Sequence, residues 1–354
     1  MNRSLVDPIA NAVLYEGYIL YPYRPSTKNQ QRWTFGGLYP ESYCRALGGE
    51  AWCQQTECLV HGTPETTFEA VARFLHLTSR QVGQVEPPLA ELFASTEPTF
   101  RPVESLQVGD KTFQSWQEAE EREVPFGGVP LGALCARPRH ESFAFPGGRV
   151  WEPLVAPDGH MAGVLVRARQ ALQGTIDVSA LEVDDRLFRV TFRVANQTPP
   201  EEAGTPRRDQ AQLRSLASTH AILGVRAGAF VSLMDPPDRW REAASGCRNI
   251  GAWPVLVGEE GQADTMLASP IILYDYPQVA PESPGNYFDG TEMDEMLTLR
   301  IMTLTDDEKS AMASVDERAG ALLARTETLA REQLAGLHGA VRALRPMPEE
   351  NLHV

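Results

Sequence analysis

Lysine is almost missing from this sequence: Lys28, Lys111 and Lys309 are the only lysines among its 32 basic residues. Lysine codons are AT-rich and arginine codons GC-rich, so the bias points to a GC-rich bacterial genome. Positive charge as a whole is also short. The 354 residues carry 47 acidic side chains and a formal net charge of −15. Such a surface repels phosphates and anionic headgroups, which excludes non-specific nucleic-acid binding and attachment to an acidic membrane face. Long hydrophobic runs are lacking too. The most apolar stretch, 221–234, contains Arg226 and is too short to span a bilayer, so no membrane insertion is expected. Asp7, Asn11 and Glu16 interrupt what would be the apolar centre of a secretory signal. Five cysteines, an odd number in a long chain, do not resemble a disulfide framework. A cytoplasmic protein is the expectation.

Familiar catalytic signatures are absent as well. There is no G-x-S-x-G elbow, no G-x-G-x-x-G, no P-loop and no H-E-x-x-H. What is present is ordinary globular material, 42% apolar and 22% charged. The length suits about two domains. The 27 prolines exceed the usual share and predict many turns and interrupted strands.

The organisation expected is α+β: an antiparallel β-sandwich-like domain with an aromatic-rich N-terminal module and a long C-terminal amphipathic helix. The N-terminal module, containing aromatics and cysteines, spans 1–135, and the antiparallel β domain 150–304. Between them, Gly127-Gly128 and Pro146-Gly147-Gly148 read as turn chemistry at a boundary. Phe68 to Val85 is ambiguous between helix and strand and leans to strand. Phe188, Val190, Phe192 and Val194 alternate with polar residues, a strand with one buried face. The run before it changes phase between Val178 and Leu181, which suits a bulge, and Asp184-Asp185 reads as a hairpin turn. Short apolar runs at 229–233, 254–257, 271–274 and 297–304 predict further strands. Thr305 to Glu308 reads as a capping box, opening a helix over 305–345 ahead of a tail, 346–354. At roughly 1.5 Å per residue that helix is long enough to reach a partner.

Cys44, Cys53, Cys58 and His61 form the sharpest local constellation, spaced C-x8-C-x4-C-x2-H. Three thiolates and an imidazole suit a tetrahedral zinc, or an iron–sulfur cluster with Cys135 or Cys247 as the remaining ligand. The alternative is three unrelated cysteines buried as small hydrophobes. Cys247 with His220 is a conceivable thiol–imidazole pair, although no hydrolase motif surrounds either. Asp289, Glu292, Asp294 and Glu295 crowd into one acidic stretch that misses the calcium-loop pattern and reads as a solvated loop or a docking face for a basic partner. Aromatics with arginine between 15 and 39, among them Tyr21, Tyr23, Arg24 and Trp33, have the composition of an interface.

Two long stretches, IANAVLYEGYILYPYRPSTKNQQRWTFGGLYP (Ile9 to Pro40) and NIGAWPVLVGEEGQADTMLASPIILYDYPQVAPESPGNYFDGTEMDEMLTLRIMTLTDDEK (Asn249 to Lys309), carry a resemblance. They resemble an uncharacterised bacterial family encoded beside actinobacterial-type nickel–iron hydrogenases. The resemblance implies a cytoplasmic accessory factor that helps load a metal centre or docks on an assembling hydrogenase subunit. It carries no catalytic role onto any residue here. The expectation is therefore a non-enzymatic accessory or interaction protein whose partner is a hydrogenase subunit or a second copy of itself. The rival readings are a zinc, iron–sulfur or thiol-dependent protein built on the cysteine cluster, and a structural subunit of a larger assembly.

Overall fold

Alternation at Phe188, Val190, Phe192 and Val194 produces the strand it predicts, and period-two burial recurs along much of the chain. The computed structural model describes residues 3–14, 36–89, 97–200, 207–277 and 317–328, together with 301, 302, 305, 306 and 309. Helices α1 (Arg3–Leu14) and α2 (Glu41–Leu47) precede β1 (Cys53–His61) and the 23-residue β2 (Thr67–Leu89). Short β3 (Arg101–Val103), β4 (Ser105–Val108) and β5 (Lys111–Gln114) lead to β6 (Trp116–Pro130) and α3 (Leu131–Ala136). Next come β7 (Arg139–Phe145), β8 (Gly148–Val155), β9 (Met161–Arg169), β10 (Leu172–Asp184) and β11 (Leu187–Asn196). After α4 (Arg208–Gln212) run β12 (Ala217–Arg226), β13 (Ala229–Val231), α5 (Arg241–Ser245), β14 (Trp253–Leu256) and β15 (Thr265–Ser269). The last described element is α6 (Glu317–Thr328).

The fold is α+β and rich in antiparallel sheet. Five strands pair in the order β13-β1-β11-β10-β7, and eight more form a sheet along β14-β15-β12-β2-β9-β8 with β3 and β6 also on β2. The two sheets share one core. Cys58, Val60, Ile176, Phe188 and Phe192 on the first meet Phe68, Phe74, Phe126, Leu223 and Met266 on the second. Leu131 and Leu134 of α3 close that core, while α1 lays Val6, Ala10 and Val13 on the outer face, against Ile222, Val255 and Leu267. The hairpin at Asp184 forms as expected, with a register shift between Glu182 and Asp184 and Arg186 in the left-handed region at φ 55°.

Two expectations need correction, and a third lies largely outside the described residues. The boundary between 1–135 and 150–304 does not divide the sheets, because β1 pairs with β11, and β2 pairs with both β9 and β12. One glycine of each pair serves close packing. A Cβ at Gly128 would lie 2.8 Å from Thr67 Cγ2, and one at Gly147 would lie 3.0 Å from the backbone of Ala171. The run 271–274 forms no strand, since the chain turns at Pro270 and Ser269 Oγ accepts from Ile271 N instead of a ladder partner. Of the 305–345 helix, α6 and a turn in which Lys309 N donates to Thr305 O are described; the rest, the tail 346–354 and most of 297–304 lie outside the described residues. No described helix is long and apolar enough to cross a membrane.

Gly174 of β10 shows how tightly the sheets are fitted. A Cβ there would lie 2.3 Å from the Phe143 ring and 2.7 Å from the Ala195 carbonyl oxygen. Backbone on one side and a packed ring on the other leave nothing able to yield. Gly174→Ala is expected to lower stability by about 2 kcal/mol, read as an earlier urea midpoint with an unchanged slope.

Candidate functional site: a charged cleft along the central strand

One face of β2 changes character along its length. Phe68, Ala70, Ala72 and Phe74 point into the shared core. Alternation then brings His76, Thr78 and Arg80 to the same face, and after them Val82. Val82 packs with Leu154 and Leu165 against Val108 and Leu106 of the β4–β5 hairpin, a second and smaller core. The polar strip between the two cores is the candidate site.

Neighbouring strands deliver its other side chains by register. Thr78 lies opposite Glu118 of β6 and Arg169 of β9, and Arg80 opposite Arg167 of β9. On β8, Val150 faces Arg167 and Gly148 faces Arg169. The charges alternate. Arg80 donates to Glu118 at 3.3 Å, Arg167 to Glu118 and Glu152 at 2.8 Å each, and Arg122 to Glu120 at 2.8 Å. Arg169 also donates to Glu120. Thr78, Glu118, Glu120, Arg167, Arg169 and Val150 line a cleft of about 270 Å3. Four guanidiniums and three carboxylates meet in this strip.

His76 lies at the end of the strip nearest the main core, fully buried. Its Nε2 is 2.7 Å from the Gln170 carbonyl oxygen, which can only accept, so Nε2 carries the proton and Nδ1 is left as an unpartnered acceptor. Burial, reinforced by Arg122 and Arg169, pulls its pKa down to about 4. The ring is neutral at pH 7. A second charged cluster lies on the opposite face of β2, under α1. There the buried Arg73 reaches Glu123 at 3.1 Å, Glu121 at 3.5 Å and Asn11 Oδ1 at 2.8 Å, while Arg3 of α1 pairs with Glu123 at 2.7 Å. This cluster ties the helix to the sheet. It has no opening.

The cysteine constellation does not assemble. Cys53 and Cys58 are five positions apart on β1, so they emerge on opposite faces, about 17 Å apart along the strand. Cys58 is in the core, with its thiol toward the Val190 carbonyl at 3.9 Å and its pKa pushed well up by burial. Cys44 belongs to α2, packed with Tyr39, Tyr43 and Ala211, and burial raises it to about 11. His61 stacks on Trp240 with ring centroids 5.0 Å apart. Among the described residues no three His, Cys, Asp or Glu side chains are placed to hold a metal ion. Cys247 and His220 are separated as well. Cys247 packs beside Trp240 and Leu59 on the five-stranded sheet, raised to about 11 by burial. His220 is on β12, opposite Arg73, fully buried and lowered to about 3. Tyr21, Tyr23, Arg24, Trp33, Asp289, Glu292, Asp294 and Glu295 lie outside the described residues.

The strip's sequence signal was there to be read: Glu118, Glu120 and Arg122 alternate in one segment and Arg167 and Arg169 in another. Only the long β2 between them makes the two halves one site. No protein-family model matches the chain, and no curated protein matches it.

Proposed function

We propose that the chain is a non-enzymatic, cytoplasmic accessory protein that docks a partner through the charged cleft. The observation that carries this reading is the strip itself: fixed guanidiniums and carboxylates, each held by a neighbour, with Thr78 as the only hydroxyl among the lining residues. Groups held this way recognise a complementary pattern of charge, and they lack the activated nucleophile and poised base that acyl or phosphoryl chemistry needs. The resemblance of Ile9 to Pro40 and Asn249 to Lys309 to a hydrogenase-linked family makes a nickel–iron hydrogenase subunit the partner to test first.

Co-expression of the tagged full chain with the hydrogenase subunits of its host is the direct experiment. Co-purification of one subunit with the native chain, and at least tenfold less with Arg169→Glu of unchanged thermal midpoint, is the expected result. Absence of every hydrogenase subunit, or equal recovery with both proteins, overturns the reading.

A further inference from the structure

We propose that the cleft takes one carboxylate, carried beside an aliphatic group, between Thr78, Arg169 and Gly148. The inference rests on the docking reading only for the source of that carboxylate, which is the partner.

Hydrogen-bonding capacity in the cleft is lopsided. Each oxygen of its two lining carboxylates already accepts from an arginine. Glu118 accepts from Arg80 at one oxygen and from Arg167 Nε at the other, at 3.3 and 2.8 Å. Glu120 accepts from Arg122 at both oxygens, at 2.7 and 2.8 Å, and from Arg169 Nη1 at one of them. The donors are less fully used. Arg169 gives only Nη1, and its Nε–H is buried with no acceptor. Arg167 gives Nε to Glu118 and Nη1 to Glu152. Among the described residues the Nη2 groups of both arginines and the Thr78 hydroxyl meet no acceptor. Spare donors beside engaged acceptors suit a ligand that only accepts.

Register brings these donors together. Thr78 and Arg169 are directly cross-strand, which sets their Cβ atoms about 5 Å apart. Arg167 stands two residues earlier on β9, on the same face. On the far side of Arg169 is Gly148, where a Cβ would meet only Arg169 Nη2, at 3.9 Å. The backbone does not require glycine here, because its φ is open to any residue. The missing side chain instead leaves an opening in the cleft wall beside the arginine.

Val150, two residues further along β8 and 64% exposed, offers an apolar surface next to that opening. A ligand with its carboxylate at Gly148 would lay an aliphatic group there. Parallel N–H donors match the two oxygens of a carboxylate. A phosphate dianion would set twice the charge against Glu118 and Glu120, so it gains less from the same donors.

Ligand-observed NMR on the full chain with N-acetyl-leucine, a carboxylate beside an aliphatic side chain, tests this. N-acetyl-leucinamide and inorganic phosphate are the controls, at matched ionic strength. Titration runs to about 20 mM, past the millimolar affinity that a few charge-assisted hydrogen bonds give so small an acid. The native chain is expected to bind N-acetyl-leucine, and the amide and phosphate at least tenfold more weakly. Gly148→Val fills the opening and removes no charge; it should weaken binding at least tenfold at an unchanged thermal midpoint. Arg169→Gln should do the same. No binding across the range overturns the inference even if a hydrogenase subunit docks at the cleft. Equal binding of the amide or of phosphate, or unchanged binding by Gly148→Val, also overturns it. Displacement of a co-purified subunit by N-acetyl-leucine supports the partner as the source. Binding without displacement keeps the carboxylate site, assigns it to a free acid and overturns docking there.

Discussion

Replacement of Arg73 by alanine is expected to lower the stability of the chain by about 4 kcal/mol, enough to move the thermal midpoint by several degrees. Arg73 is 4% exposed and sits between β6 and α1, with Glu121, Glu123, Asp7 and Asn11 around its guanidinium. Removing it leaves the facing carboxylates, each about two-fifths exposed, with less counter-charge, and Arg3 alone remains to bridge Glu123 and Asp7. The loss is larger than a surface ion pair gives because the arginine itself is desolvated and its packing under α1 is lost with its ion pairs. Hydrogen exchange should show α1 opening first, since its apolar stripe then holds it without the polar anchor. A change below about 1 kcal/mol would mean that the ion pairs contribute little and that Val6, Ala10 and Val13 hold the helix unaided.

Acid should unfold the protein through its two buried histidines. His220 titrates near 3 and His76 near 4 in the folded chain, both below the ordinary value of 6.5, with burial as the main cause. A folded pKa below the unfolded one means that the unfolded chain binds more protons in the window between them. Stability is therefore full above about pH 6.5 and falls as the pH drops toward 4 and then 3. At pH 4 the loss from His220 alone is on the order of 3 kcal/mol. His220→Asn keeps a donor for the Ser218 carbonyl, which His220 Nδ1 meets at 3.0 Å, and removes the titration. The variant's stability should accordingly fall by about 3 kcal/mol less than the native chain's between pH 6.5 and pH 4, measured by urea unfolding at each pH. Parallel pH profiles would contradict it.

Legibility from the sequence followed the range of the interactions. Local alternation was enough for β11 and for the lean toward strand in Phe68 to Val85. The register shift, however, falls between Glu182 and Asp184, beyond the Val178 to Leu181 stretch where the phase change placed a bulge. The boundary failed because sheet pairing is non-local: β1 finds β11 more than a hundred residues away, and each glycine pair read as linker chemistry has one member, Gly128 or Gly147, where the chain packs too closely for a Cβ. The cysteine cluster failed for a related reason. Close spacing suggests convergence only when the chain turns, and a strand carries successive residues apart and onto alternate faces. The charged strip went unrecognised for the opposite cause, although its two alternating halves are each visible in the sequence. Its glutamates and arginines lie some fifty residues apart and become neighbours only through β2, which serves two cores and holds the polar strip between them.

The claim that the cleft recognises a partner by charge is tested most directly by titrating the purified chain against a purified hydrogenase subunit at low and high salt. Native chain should bind, weaken as salt rises, and lose at least tenfold in affinity at low salt when Arg169 becomes glutamate. Binding that is equally tight in Arg169→Glu, or insensitive to salt, would contradict docking at the cleft.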